Sequence, residues 1–186
     1  MSAMTYYGAK ELARSFRTVR GNTIRIAEEI PEEEYDFRPA EGCRSIAETL
    51  VHVAVMPRVP EQIHVIERRS TLVGFDFFGL MGKLQAEVKV PRSKAQVLEL
   101  LRSEGEKYAQ VLEGATDAFL AEQVEYPEGM QPRVKSRFEM LIAPKEHEMH
   151  HRGQLMVIER MLGITPHLTR QMEERIASMQ LAQAGR

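Results

Sequence analysis

The chain has 186 residues, of which 43% are hydrophobic and 28% are charged. This balance is typical of a globular protein with its own core and excludes a disordered or collagen-like chain. Lys and Arg (25) nearly equal Asp and Glu (27), so the net charge of -2 offers no attraction for nucleic acid. We therefore expect a single domain over residues 1–186, with no nucleic-acid partner.

The cysteine content and the hydropathy pattern indicate the cellular compartment in which the protein is expected. Cys43 is the single cysteine, so no internal disulfide can form. The first residues lack the basic patch and apolar stretch of a signal peptide. The longest apolar stretch, residues 50–57, is far shorter than the roughly 20 residues that cross a bilayer. These features predict a cytoplasmic protein that does not insert into a membrane.

Helix starts are the clearest local signals. Three segments have the capping-box pattern, in which a serine accepts a hydrogen bond from a free amide and a Glu or Gln three residues later bonds back. They begin at Ser45, Ser93 and Ser136. Before them, apolar residues recur at spacings of three and four from Leu12 to Ile30. This periodicity predicts a long amphipathic helix, which Pro31 ends.

The remaining signals complete the architecture. Gly163 and Pro166 end the helix that follows Ser136, and residues 168–181 fit a short terminal helix. Four long helices with polar or Gly/Pro-bearing links predict an all-α protein, a four-helix bundle with a short C-terminal helix. The link formed by residues 71–91 is long enough to span the bundle lengthwise, so the second and third helices can run parallel.

Two apolar segments need a place to pack. Phe75, Phe77 and Phe78 lie in the long link, and we expect it to fold back onto the bundle as a core plug or, alternatively, as a wall of a substrate pocket. An apolar stripe on the terminal helix is expected to pack on the bundle itself, the alternative being a second subunit in a homodimer. The stripe consists of Met172, Ile176 and Met179.

The densest group of polar side chains lies within the last bundle helix. At about 100° per residue, His147, His151 and Gln154 share one face, whereas His150 points about a quarter turn away. The face continues to Met140, Ile158 and Met161, which predicts that it is inward. Two buried imidazoles one turn apart need partners, and one cation satisfies both. The pair therefore indicates a metal site.

His52 is the candidate for a third ligand. It lies about two turns into the helix that Ser45 opens, within an apolar stretch, so we expect it to be buried. It is either a core histidine bonded to a nearby hydroxyl or carbonyl, or a ligand, and we favour the ligand. Three neutral imidazoles leave a position of Zn²⁺, Ni²⁺ or Fe²⁺ free for water, as in catalytic sites. Glu48, one turn before His52, is interpreted as a helix cap and not as a carboxylate that orients a metal ligand through a hydrogen bond.

The segment from His147 to His151 also matches H-E-x-x-H, the zinc-protease signature in which Glu148 would be the general base. The extended form of that signature requires a glycine where Gln154 stands, and a further histidine beyond it. Glu173 offers only a distant third ligand, and the strands that hold a protease substrate are not predicted. Proteolysis is therefore disfavoured.

Two segments resemble the DinB/YfiT-like family of metalloenzymes, and the resemblance extends over most of the chain. The first comprises PEEEYDFRP at residues 31–39 and RSIAETLVHVA at residues 44–54, similar to the family's link into its second helix. The second is His147-x-x-x-His151-Arg152-Gly153-Gln154, similar to its fourth-helix motif. The resemblance implies a four-helix bundle of up-down-down-up topology. It also implies one divalent metal held by three histidines, here His52, His147 and His151.

The resemblance implies a metal-dependent enzyme acting on a small-molecule substrate, either a thiol-dependent S-transferase or a hydrolase, whose ion activates a thiolate or water. The alternative from the residues is a non-catalytic protein in which the metal staples the bundle, used for small-molecule binding or dimerisation. Pro57, Pro60 and Pro144 are expected to kink or interrupt the ligand-bearing helices. Arg152 is interpreted as a surface or salt-bridge residue, with a substrate carboxylate as the alternative partner, and Cys43 as a small linker residue.

Overall fold

The computed structural model describes residues 7–184. Helices dominate, and two short strands form an antiparallel hairpin that the sequence pattern did not predict. None of the described helices is both long and apolar enough to cross a membrane. The helices are α1 (Ala9–Glu29), α2 (Ile46–Val55), α3 (Arg58–Glu61), α4 (Phe77–Val88), α5 (Lys94–Glu113), α6 (Asp117–Ala121), α7 (Arg137–Met161) and α8 (His167–Ala184), and the strands are β1 (Gln123–Glu125) and β2 (Val134–Ser136).

All three capping boxes start helices as predicted. At the start of α2, Ser45 Oγ accepts from the Glu48 amide at 3.2 Å, and the Glu48 carboxylate accepts from the Ser45 amide at 2.9 Å. The same reciprocal bonds precede α5 at Ser93 and α7 at Ser136. The structure thus confirms the assignment of Glu48 as a cap. Glu48 also pairs with Arg38 at 2.6 Å, which occupies the rest of its carboxylate.

Ion pairs reveal the direction of the second and third bundle helices. Arg17 of α1 pairs with Glu106, and Glu28 pairs with Arg102, so α1 and α5 are antiparallel. Arg58 pairs with Glu104, and Glu61, one turn later, pairs with Lys107. Because the residue numbers increase in the same direction on both helices, α3, which continues from α2, runs parallel to α5. The expected parallel pair of helices is therefore confirmed.

Two apolar clusters fix the direction of α7. One contains Leu12 of α1 and Leu141 of α7, both near the starts of their helices. The other contains Ile26 and Ile158, both near the ends. Helices α1 and α7 therefore run parallel, and the bundle formed by α1, α2 with α3, α5 and α7 has the up-down-down-up topology.

The link over residues 71–91 is not a simple crossover, because it contains α4. Asp76 caps this helix by accepting from the Gly79 amide at 2.9 Å, and Leu84 and Val88 pack against α2. Phe78 points away from this face and is 87% exposed, whereas Phe77, in the first turn of α4, is 45% exposed. The link folds back onto the bundle as expected, but through Leu84 and Val88; Phe77 and Phe78 do not plug the core, and Phe75 is partly covered.

The three prolines act differently. After His52, α2 ends at Val55, and Pro57 lies in the break before the short α3, so the helix is interrupted as expected. Pro60 lies within α3, which a π-helical turn, Gln62–Ile66, follows. Helix α7 instead continues through Pro144 for its full length. Of the two expected effects, a kink or an interruption, the interruption does not occur in the second ligand-bearing helix.

Helix α8 contacts the bundle mainly through its first turn. His167 is buried there, and Arg170 pairs with Glu29 of α1 at 2.7 Å. From residue 171 onward the described side chains are exposed, including the whole apolar stripe of Met172, Ile176 and Met179. The expectation that this stripe packs on its own bundle is wrong, because Met172, Ile176 and Met179 are 56%, 47% and 58% exposed.

Candidate metal centre

Two helices bring three histidines together. The capping box at Ser45 fixes the start of α2, and His52 follows within its buried stretch with 6% exposure. His147 and His151 lie one turn apart on α7; His151 is buried, and His147 is partly exposed. Because α2 and α7 pack against each other, His52 faces the pair from the other side of a helix interface.

The three rings direct nitrogen atoms towards one point. His147 Nε2 lies 3.2 Å from His52 Nε2 and 3.2 Å from His151 Nε2. The ring planes are steeply inclined to one another, with centroids 4.5–5.0 Å apart. One ligand atom from each residue lies within 4.8 Å of the other two. No fourth His, Cys, Asp or Glu joins this group within residues 7–184.

These separations suit a shared metal ion better than hydrogen bonds between rings. An imidazole nitrogen has either one hydrogen or one lone pair, so His147 Nε2 cannot make a normal hydrogen bond to both neighbours. Two nitrogens bound tetrahedrally to Zn²⁺ lie about 3.3 Å apart. The distances therefore fit a divalent metal held by three Nε2 atoms.

Gln154 determines the tautomer of His151. His151 Nδ1 lies 2.7 Å from Gln154 Oε1, and a carbonyl oxygen can only accept, so Nδ1 carries the hydrogen. The Gln154 amide nitrogen lies 3.2 Å from Nε2 of the exposed His150, a contact that agrees with this orientation of the amide. His151 Nε2 is thus left with its lone pair towards the other two rings. His150 is exposed and lies off the ligand face, as predicted.

The electrostatics keep all three rings neutral at pH 7. Burial lowers the pKa of His52 to about 3 and that of His147 to about 4. The pKa of His151 is also lowered, again mainly by burial. The exposed Arg44 guanidinium, just before α2, adds to the lowering at each ring. Metal binding requires neutral imidazoles, so the rings are ready to bind without losing a proton.

Glu148 does not belong to this cluster. Its side chain is 2% exposed and pairs with Arg20 of α1 at 2.9 Å. It therefore lacks the position of the general base in an H-E-x-x-H protease. Glu173 is exposed on α8 and is not in the cluster either.

The buried face of α7 is rotated about the helix axis relative to the face that the sequence predicts to be inward. Ile158 is buried as expected, but Met161 and Gln154 are exposed, because the buried stripe instead runs through Leu141, Glu148 and Leu155. The histidine pair lies at the edge of this stripe. That position places the candidate centre near the surface of the bundle, with His147 partly exposed.

Arg20 and His64 are among the buried polar residues that the sequence pattern did not predict. Arg20 is on the inward stripe of α1 between Phe16 and Ala27, and an arginine on such a stripe was the available signal for a buried ion pair. His64 is fully buried in the π-helical turn, with Nδ1 2.9 Å from an Arg137 nitrogen. No periodicity marked it, since its helix is interrupted.

The other residues considered in the sequence lie apart from the rings. Cys43 is an exposed free thiol in the link before α2, which agrees with its interpretation as a linker residue. Arg152 is half-buried, and its charge acts on His167, whose pKa is lowered mainly by burial.

Comparison with known proteins agrees with the fold. YfiT from Bacillus subtilis, described as a probable metal-dependent hydrolase with an unusual four-helix bundle topology, superimposes with a TM-score of 0.66 at 12% identity, covering 89% of this chain and 93% of that chain. A DinB-like protein, YjoA of B. subtilis, gives 0.61 at 22% identity over 83% and 94% of the two chains. A DinB-family protein of Exiguobacterium sibiricum gives 0.58 at 23% identity over 87% and 95%.

Sequence comparison gives the same relationship. YjoA of B. subtilis (strain 168), an uncharacterized protein, is 24% identical over 161 residues, which are 84% of this chain and 92% of YjoA. The model of the DinB family matches residues 1–177. With this match over nearly its whole length and the bundle topology described above, the chain belongs to the DinB family.

Proposed function

We propose that the protein is a metal-dependent enzyme of the hydrolase type, in which His52, His147 and His151 hold one divalent transition metal, Zn²⁺, Ni²⁺ or Fe²⁺. The observation that carries this proposal is the convergence of the three Nε2 atoms, 3.2 Å apart in the two closest contacts. The description of the similar YfiT as a probable metal-dependent hydrolase supports the same class.

The number of ligands favours an enzyme over a structural staple. Structural zinc sites are closed by four protein ligands, whereas catalytic sites use three and leave a position open. In the part of the chain that the structure covers, the group has three members. A metal bound there supplies Lewis acidity and lowers the pKa of a water in the open position, which hydrolysis requires.

The surrounding residues prepare this chemistry. Gln154 holds His151 Nδ1–H and so keeps the Nε2 lone pair available. His147 is partly exposed, which leaves the centre accessible from the bundle surface. Arg44 contributes a positive charge near all three rings, suited to a substrate with a carboxylate or phosphate group.

The test combines metal analysis with an activity screen. The protein is purified, stripped of metal, and reloaded with Zn²⁺, Ni²⁺ or Fe²⁺, and each form is assayed on a panel of anionic and neutral esters and amides. We expect metal-dependent turnover that is lost in His147→Ala and kept in His150→Ala, the matched control on the same helix. A wild type that binds none of the three ions would overturn the proposal.

The same preparations separate the alternatives. Turnover that appears only when a low-molecular-weight thiol is added would favour an S-transferase over a hydrolase. Stoichiometric metal with no exchangeable solvent position, measured by water proton relaxation with Mn²⁺ or by Co²⁺ spectroscopy, would favour a staple.

A further inference from the structure

A buried polar layer divides the core between the two apolar clusters. It is formed by Arg20 of α1 and Glu148 of α7, whose side chains are 4% and 2% exposed. The cluster on one side contains Phe16 and Leu141, and the cluster on the other contains Ala27 and Leu155. A charged pair at this depth is costly to desolvate and is seldom a net source of stability. Its presence therefore calls for a role other than stabilising the fold.

The guanidinium of Arg20 contacts three other helices. Its Nε and one terminal nitrogen donate to the two oxygens of Glu148 at 2.9 Å each, a bidentate pair. That terminal nitrogen also donates to the carbonyl of Val53 in α2 at 3.0 Å. The other donates to the carbonyl of Leu101 in α5 at 2.8 Å. The guanidinium and the carboxylate thus have hydrogen-bond partners within the bundle.

The contacts on α2 and α7 lie next to the histidines. Val53 directly follows His52, and Glu148 stands between His147 and His151. One planar group is therefore bonded to both helices that carry the rings, one residue away from a ring on each. Because α2 supplies one nitrogen and α7 supplies two, the spacing of these helices determines whether the three Nε2 atoms converge.

Helix α5 is shaped to admit this arginine. Gly105 lies against the Arg20 side chain, and a Cβ at that position would be 2.8 Å from Arg20 Cγ and 3.1 Å from one of its terminal nitrogens. Gly105 is buried within a helix, where glycine is otherwise unfavourable relative to alanine. The glycine thus leaves the space in which Arg20 reaches across the core.

We propose that Arg20 and Glu148 are positioning residues for the three-histidine centre, holding α2 and α7 at the separation that lets His52, His147 and His151 bind one ion. This inference rests on the proposed function, since it assigns the pair a role towards the same metal. Under this proposal Glu148, the acidic residue of the H-E-x-x-H segment, positions the ligand helices and does not contact the reacting atoms.

The decisive variant replaces both partners by uncharged residues of similar length, Arg20→Met with Glu148→Met. Replacing a whole buried pair in this way leaves no unpaired charge, so the fold is expected to persist. Zn²⁺ affinity is measured by competition with a chelator, and the visible spectrum of the Co²⁺ form reports the ligand geometry. We expect Zn²⁺ to bind about tenfold or more weakly, as for other residues that orient ligands, with an altered Co²⁺ spectrum.

Arg137→Met is the matched control. Like Arg20, Arg137 is a buried arginine with an acidic partner, Glu122 at 2.8 Å. It lies at the start of α7, ten residues before His147, which is about 15 Å along the helix. This change is expected to lower the melting temperature while leaving Zn²⁺ affinity within a factor of about two. Glu148→Gln, which keeps the shape of the side chain, serves as a second test if the double variant does not fold.

The outcomes separate the two proposals. A folded double variant, or a folded Glu148→Gln, with wild-type Zn²⁺ affinity and an unchanged Co²⁺ spectrum overturns the positioning role alone. A loss of affinity in Arg137→Met equal to that in the double variant also overturns it, because the loss would then follow from general destabilisation. A wild type that binds neither Zn²⁺ nor Co²⁺ overturns the proposed function, and the positioning role with it.

Discussion

Two sites place histidines in the interior of the bundle but give them different partners. His52, His147 and His151 point nitrogens at one another across the interface of α2 and α7. His64 is buried completely in the π-helical turn, where Arg137 donates to its Nδ1. In both places burial lowers the histidine pKa, to about 4 for His64 and about 4 for His147.

The difference shows that burial and a lowered pKa do not by themselves make a metal site. Arg137 has only donors, so its bond uses the His64 lone pair at Nδ1 and places a positive charge where a metal ion would lie. In the three-histidine cluster the nearest partners of each Nε2 are other Nε2 atoms. The candidate centre therefore differs from the His64 site in that its ring nitrogens converge and no neighbouring arginine bonds to their lone pairs.

Removing a ligand from α7 should have the largest effect. We expect purified wild-type protein to carry about one divalent metal per chain, and His147→Ala or His151→Ala to lose most of it, because each supplies one of three protein bonds. Elemental analysis after dialysis measures this. His150→Ala should retain wild-type metal; equal loss there would contradict the helical phase assigned to the ligands.

His52→Ala tests whether the site depends on the tertiary fold. We expect metal affinity to fall by more than about tenfold, and the stabilisation conferred by limiting Zn²⁺ to shrink by more than about 1.4 kcal/mol. Melting curves with and without Zn²⁺ check this. If the Zn²⁺-dependent shift equalled that of the wild type, His147 and His151 alone would be the ligands and the comparison with His64 would lose its basis.

Gln154→Ala should have a smaller effect, because Gln154 fixes the tautomer of His151 without contacting the ion. We expect Zn²⁺ to bind no more than about tenfold more weakly, the lower end of the range for such residues. Chelator competition provides the affinity, and Gln154→Glu, which keeps an acceptor for His151 Nδ1–H, should restore it. Unchanged affinity in Gln154→Ala would show that the hydrogen bond does not orient the ring.

The smallest expected effect concerns His64 and pH. Its pKa is lowered from 6.5 to about 4 in the folded protein, so between these values the unfolded chain binds more protons and stability falls as pH falls. His64→Gln, which keeps an acceptor for Arg137, should reduce the loss between pH 7 and pH 5.5 by roughly 1 kcal/mol. Urea unfolding of the metal-free protein at both pH values measures it. Identical losses in variant and wild type would contradict the assignment.

Much of the architecture follows from local sequence. Serine and an acidic or amide residue three positions later form a capping box from bonds within one turn, so all three starts could be predicted without knowledge of the fold. The helical spacing of His147 and His151 is local for the same reason. The exposure of Phe78 was not predictable, because it depends on which face of α4 meets α2.

The sequence by itself therefore determined the starts of three bundle helices, the histidine pair and the off-face position of His150, since each depends on residues within one or two turns. Only the tertiary structure decided that His52 meets the pair, because 95 residues separate it from His147 and the contact exists only where α2 packs on α7. It likewise decided that Glu148 turns to Arg20, 128 residues away, instead of to the ligand face. A buried carboxylate takes whichever cation the packing brings within hydrogen-bond distance, and no local pattern specifies that partner.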